Sequence, residues 1–166
     1  MNSVVLLLGG NVGNVEQIFE GVRRELECEV GTIVKCSSAY RSKSWGFEAA
    51  DFLNQAVVVE SELEPLALLE STQRIEERWG RAREQEREEK RVSGERYCSR
   101  MIDIDIIFYG DRVIREERLV VPHPLIEERQ FVLEPLNQIL PLYKHPTTGL
   151  SVAEMFEGVL KNSPLK

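Results

Sequence analysis

Two hydrophobic periods alternate along this 166-residue chain in a fixed order. Val4 to Leu8, Thr32 to Tyr40, Phe52 to Glu60 and Met101 to Tyr109 are β-branched or aliphatic runs of strand length. Between them Val15, Ile18, Phe19, Val22 and Leu26, and then Leu68, Thr72, Ile75 and Trp79, recur at helical spacing. Asn14 with Gln17 three residues on is a capping-box pattern for the first helix, Pro65 suits the first turn of the second, and Gly80 ends it. The order strand, helix, strand, strand, helix, strand predicts an α+β fold: a ferredoxin-like sandwich, with helices packed on one face of an antiparallel sheet and a C-terminal extension. In the extension Gly110-Asp111 signals a hairpin from the fourth run into Arg112 to Ile114, with Val120 to His123 returning beside it. Phe131 to Leu140 reads as a helix, and Ser151 with Glu154 opens a last short one. The length suits a single domain over residues 1–166.

Composition narrows the partners. A net charge of -7 argues against a nucleic-acid backbone. The apolar run Val4 to Leu8 is too short for a membrane span or a signal peptide, so a cytoplasmic protein with no membrane partner is expected. Cys28, Cys36 and Cys98 are odd in number and lack Cys-x-x-Cys spacing, which suggests neither a disulfide framework nor a zinc site. The charge is uneven, however: residues 81–100 hold six arginines and one lysine against five glutamates. Arg81 to Ser99, without apolar periodicity, is long for a connector in a compact domain, and such loops are functional or disordered.

The sharpest local feature is Asp103-Ile104-Asp105. Period-two alternation places both carboxylates on one strand face and the isoleucines on the other. Adjacent anions repel unless something positive intervenes, and a divalent cation on carboxylate oxygens is the usual solution. A solvated face of a half-buried strand would show the same alternation, so the neighbours carry the argument. Arg81, Arg83 and Arg100 precede the pair, and His123 and Arg129 follow it. Guanidinium forks match phosphate oxygens, and carboxylates for Mg2+ beside arginines for phosphates are the ingredients of phosphoryl transfer. A glycine-rich phosphate loop ending in Gly-Lys-Ser/Thr is absent, which excludes that class of kinase. His145, in Lys144-His145-Pro146, reads as a surface residue.

Several ordered stretches resemble the 6-hydroxymethyl-7,8-dihydropterin pyrophosphokinases. They are Leu8-Gly9-Gly10-Asn11, Tyr40-Arg41-Ser42, Phe52-Leu53-Asn54-Gln55-Ala56-Val57, Thr72-Gln73-Arg74-Ile75-Glu76 and Gly80-Arg81-Ala82-Arg83, followed by Arg100-Met101-Ile102-Asp103-Ile104-Asp105-Ile106 and Val121-Pro122-His123-Pro124. The resemblance covers nearly the whole chain. It implies transfer of the β,γ-diphosphate of ATP to the hydroxymethyl group of a reduced pterin in folate synthesis, with AMP released. Asp103 and Asp105 would bind two Mg2+ ions bridging the ATP phosphates, and Arg81 and Arg100 would contact the transferring diphosphate. Gln73, Glu76, Arg83, His123, Arg129 and the main chain near Ile106 would hold ATP. For the pterin it points to Asn54, to Phe52 and Phe131 as stacking walls, and to main-chain groups of Ser42, Lys43 and Trp45. Small-molecule substrates and a monomer are expected. Gly10 stands where that family commonly has Ser, and Tyr97 where it has Trp.

Two other classes share some of these features. A nucleotidyl transferase or cyclase would also use a carboxylate pair but would release pyrophosphate. An RNA-binding module of similar fold is opposed by the acidic balance and the lack of an aromatic-rich strand.

Overall fold

The computed structural model describes residues 1–11, 14–42, 52–79 and 102–162. In chain order they form β1 (Asn2–Gly10), α1 (Val15–Glu29), β2 (Gly31–Cys36), β3 (Tyr40–Ser42), β4 (Phe52–Ser61), α2 (Pro65–Trp79), β5 (Asp103–Tyr109), β6 (Ile114–Arg115), β7 (Val120–Val121), α3 (Gln130–Ile139) and α4 (Val152–Asn162). The local signals act as their chemistry predicts. Asn14 Oδ1 accepts the Gln17 N–H at 3.2 Å and caps α1. Ser151 and Glu154 exchange reciprocal bonds, Glu154 N–H to Ser151 Oγ at 3.1 Å and Ser151 N–H to Glu154 Oε1 at 3.0 Å, and so start α4.

The main sheet is antiparallel throughout, in the order β2-β4-β1-β5, with β3 pairing β4 off that path. Its centre is the β1–β4 pair, in register from Asn2↔Ser61 to Gly10↔Leu53. Alternation along these two strands feeds two cores. Val4, Leu6, Leu8, Val57 and Val59 point to α1 and α2, where Phe19, Val22, Leu26, Leu68 and Ile75 are fully buried. Val5, Leu7, Ala56 and Val58 point the other way, to Ile126, Val132, Leu133, Leu136, Val152 and Met155. Each fully buried aliphatic side chain contributes about 1.5–3 kcal/mol over its exposed state.

Four expectations are corrected. The sheet carries helices on both faces rather than one, because α3 and α4 cover the second face. The run from Thr32 to Tyr40 is two strands, since Ser37 leaves the ladder: its Oγ takes the Ala56 N–H at 2.9 Å, while its own N–H bonds Ala56 O at 2.8 Å. After the turn at Gly110, which holds φ +55, β6 pairs with β7 and not with β5. Finally, His145 is no surface residue: it is 6% exposed. Its Nδ1 accepts the N–H groups of Thr147 and Thr148 at 3.1 and 3.2 Å, and its ring meets Phe108 edge-on, centroids 5.8 Å apart. Burial holds its pKa below the ordinary imidazole value.

Candidate active site

The second sheet face changes character along its length. Val5, Leu7, Ala56 and Val58 lie under α3 and α4, but toward the C-terminal end of β1 the same face turns polar. There Asp103 of β5 stands opposite Gly9 of β1, Gly9 opposite Asn54 of β4, and Asn54 opposite Tyr40 of β3. Asp105 is opposite Leu7, one step nearer the apolar core. Asp103 and Asp105 are both half-buried and share this face, with Cα atoms about 7 Å apart at strand spacing. A β-bulge follows at once, between the Val5↔Phe108 and Leu6↔Ile106 pairs, and Ile107 joins the core of this same face.

Asn54 is 4% exposed, and its amide is engaged: Nδ2 donates to Ser42 Oγ at 2.8 Å and lies 3.4 Å from the Tyr40 carbonyl. Phe52, two residues earlier on the same face, is half-buried. Between the carboxylates and the amide lies Gly9. A Cβ there would stand 3.5 Å from Asn54 Oδ1, so the Gly9 position borders the amide oxygen directly.

The outer edge of β5 is tied at two points. The Ile104 N–H donates to Glu76 Oε2 of α2 at 2.8 Å, and the Ile107 carbonyl accepts the His123 N–H at 3.0 Å. Ile106 lies between these anchors. Gln73 is exposed, one turn before Glu76 on the same helix face. His123 is half-buried in the loop that follows the cis Val121–Pro122 bond, with Nδ1 3.1 Å from the Pro124 carbonyl. This loop borders a cavity of about 210 Å3 whose wall includes Arg115, Glu127 and His145. Arg129 occupies the N-cap position of α3, and its guanidinium carbon lies 5.9 Å from the Phe131 ring centroid. Its carbonyl accepts the Val132 and Leu133 N–H groups at 3.1 Å, while the helix dipole disfavours its cationic side chain at that end. Phe131 is 37% exposed, unlike the buried Val132 and Leu133 beside it.

The structure therefore gathers Asp103, Asp105, Asn54, Phe52 and Ser42 at one end of one sheet face, and Glu76, Ile106 and His123 along one edge. Arg81, Arg83, Arg100, Lys43 and Trp45 lie outside the described residues. Among the described residues no group of three or more His, Cys, Asp or Glu side chains could cage a metal. The pair of Asp103 and Asp105 nevertheless offers oxygen donors only, the set Mg2+ prefers, and Mg2+ is commonly held by one or two carboxylates with substrate phosphates and water completing its shell. Sequence reasoning missed Tyr40, Gly9 and Gln138 as individual contributors; Gly9 had only a weak turn signal, and Gln138 meets its partners across about one hundred residues.

Comparison with known proteins gives the family. Residues 5–141 match the model of the 7,8-dihydro-6-hydroxymethylpterin-pyrophosphokinase (HPPK) family. A 2-amino-4-hydroxy-6-hydroxymethyldihydropteridine pyrophosphokinase of Synechocystis sp. is 36% identical over 159 residues, covering 95% of this chain and 76% of the relative. That of Bacillus subtilis is 38% identical over 162 residues, covering 96% and 90%. Among solved structures, the wild-type HPPK-DHPS of Plasmodium falciparum superposes with a TM-score of 0.74 at 19% identity, over 97% of this chain. The present chain spans 44% of that longer chain, and 20% of the folic acid synthesis protein fol1 of Pneumocystis carinii, to which it is 35% identical. The chain belongs to the 7,8-dihydro-6-hydroxymethylpterin-pyrophosphokinase family, ATP-dependent enzymes of folate biosynthesis.

Proposed function

We propose that this chain moves the β,γ-diphosphate of ATP onto the hydroxymethyl oxygen of 6-hydroxymethyl-7,8-dihydropterin, releasing AMP, at the polar end of the sheet face. The observation that carries this reading is the row Asp103, Gly9, Asn54 on three adjacent strands. It sets a carboxylate pair for phosphate-bound metal two strand spacings, about 10 Å, from a buried amide suited to a flat polar ring.

In this reading Asp103 and Asp105 hold two Mg2+ ions. Such ions, when bound, neutralise the phosphates and favour in-line displacement. Arg81 and Arg100 contact the transferring diphosphate. Gln73, Glu76, Arg83, His123, Arg129 and the Ile106 main chain hold ATP. Asn54 reads the edge of the pterin ring, Phe52 and Phe131 stack on its faces, and main-chain groups of Ser42, Lys43 and Trp45 contact it. The hydroxymethyl oxygen attacks the β-phosphorus, and its proton passes to solvent or to Asp103, which orients the hydroxyl. Positioning and charge neutralisation supply most of the catalysis, so no strong general base is required.

The strand order β2-β4-β1-β5 supports a ferredoxin-like sandwich, to which α3 and α4 are a C-terminal extension. One domain over residues 1–166, acting as a cytoplasmic monomer on small molecules alone, completes the proposal. No helix among the described residues is long and apolar enough to cross a membrane.

Chromatography of the nucleotides formed from Mg2+, ATP and the pterin tests the reaction. AMP that accumulates only with the pterin is expected; ADP would indicate a single phosphoryl transfer, and pyrophosphate release would indicate nucleotidyl transfer.

A further inference from the structure

Gln138 stands near the C-terminal end of α3, on its exposed side. Its Oε1 accepts the Ser38 N–H at 2.9 Å and the Tyr40 hydroxyl at 2.8 Å, and its Nε2 donates to Ser38 Oγ at 3.4 Å. At the next residue, the Ile139 carbonyl accepts from Lys35 Nζ at 3.2 Å. One side-chain amide thus holds the chain where it passes from β2 to β3.

β3 needs such a hold. It is three residues long and, among the described residues, pairs with β4 alone, through Tyr40↔Asn54, Arg41↔Leu53 and Ser42↔Phe52. A short strand with one neighbour opens more readily than the core strands. Yet β3 carries both groups that engage the Asn54 amide nitrogen, Ser42 Oγ and the Tyr40 carbonyl. With Nδ2 engaged by them, Oδ1 is the amide atom that borders the Gly9 position. The helix at the other end of the clamp is not the weak partner, since Val132, Leu133 and Leu136 bury α3 against the sheet.

We infer that Gln138 is a positioning residue for ring recognition: it holds β3 in place, and through Ser42 it fixes the Asn54 amide with its acceptor oxygen toward Gly9. The inference rests on the reading that this end of the site takes the pterin. An acceptor so fixed selects a ring edge that offers N–H donors. If β3 is released, only a fraction of molecules present the amide correctly, and apparent affinity falls by that fraction.

Two variants and two readouts test it. Gln138→Leu removes the acceptor at similar size, whereas Gln138→Glu keeps an oxygen for the Ser38 N–H and the Tyr40 hydroxyl. For Gln138→Leu the pterin KM is expected to rise about tenfold, as the loss of two hydrogen bonds implies, with the ATP KM and kcat held within about twofold. Gln138→Glu restores the pterin KM. Amide hydrogen exchange, which needs no substrate, should show lost protection at residues 38–42 in the Leu variant with β1 unchanged. An unaltered pterin KM, an equal rise in both KM values, a Glu variant no better than Leu, or unaltered exchange at 38–42 would each overturn the inference. Absence of pterin-dependent turnover in the wild-type protein would refute the reaction itself, and exchange would still decide whether Gln138 holds β3.

Discussion

On the proposed reading that Asn54 recognises the pterin, replacing it by Leu separates recognition from folding. The side chain is 4% exposed and keeps one short bond, to Ser42 Oγ at 2.8 Å. Losing that bond costs about 0.5–1.5 kcal/mol, and a leucine of similar volume recovers part of it by burial. A net loss of ~1 kcal/mol in a domain of this size lowers Tm by about 2–4 °C. The functional cost is larger. The polar edge of the pterin would face an isobutyl group, and each polar group left unpaired costs about 1–3 kcal/mol. Two such groups reduce kcat/KM for the pterin by on the order of 10^2 to 10^4, while the KM for ATP stays put. Steady-state AMP formation at varied pterin, alongside thermal unfolding, reads both quantities. A variant with kcat/KM near the wild-type value and a lowered Tm would refute the reasoning, because the amide would then serve only Ser42 and Tyr40.

Three further perturbations have defined outcomes. Asp105→Asn should abolish Mg2+-dependent turnover while far-ultraviolet circular dichroism and Tm remain near wild type; retained turnover at any Mg2+ concentration would remove Asp105 from metal binding. Gly31→Ala drives a Cβ into the Glu60 carbonyl oxygen, a backbone atom of the paired strand that must shift to admit it. Overpacking of this kind costs about 1–3 kcal/mol, and an unchanged unfolding midpoint in denaturant would contradict it. His145 supplies a pH dependence whose sign is set by burial, which lowers its folded pKa below the ordinary 6.5. Below pH 6.5 the unfolded chain takes up the proton first, so stability falls as pH drops from that point through the folded pKa, by up to about 1.4 kcal/mol per pH unit. His145→Asn keeps an acceptor for the Thr147 and Thr148 N–H groups but cannot titrate, and should flatten the fall of Tm between neutral and mildly acidic pH. Parallel curves for the two proteins would exclude His145 as its source.

What could be read from the chain alone was local. The helix stripe Val15, Ile18, Phe19, Val22 and Leu26 and the caps at Asn14 and Ser151 depend on spacings of three and four residues, and they stand where those spacings put them. Asp103 and Asp105 share a face for the same reason, but alternation says nothing about which face. Both sides of this sheet bear a core, and among the described residues the apolar packing of α3 and α4 stops short of the Gly9 end of one side. Likewise the break at Ser37 arises from its bonds to Ala56, and His145 is buried by Phe108; neither partner is near in sequence. The site's second half, the clamp from Gln138 to Tyr40, spans 98 residues and has no short-range signature. Gly9 carried a signal that sequence alone left weak, since any strand-to-helix turn can use glycine. Its value appears only when Asp103 and Asp105 stand on one side of it and Asn54 on the other.

The location of the metal is the most direct test of the site as a whole. In a 15N-labelled sample, Mn2+ added with a non-hydrolysable ATP analogue should broaden the amide signals of Gly9, Gly10 and Asp103 to Ile106 first, and Asp105→Asn should abolish that broadening. Broadening centred instead on the acidic surface of α1, with the signals of β5 and the end of β1 left sharp, would contradict the placement of the reaction on this sheet face.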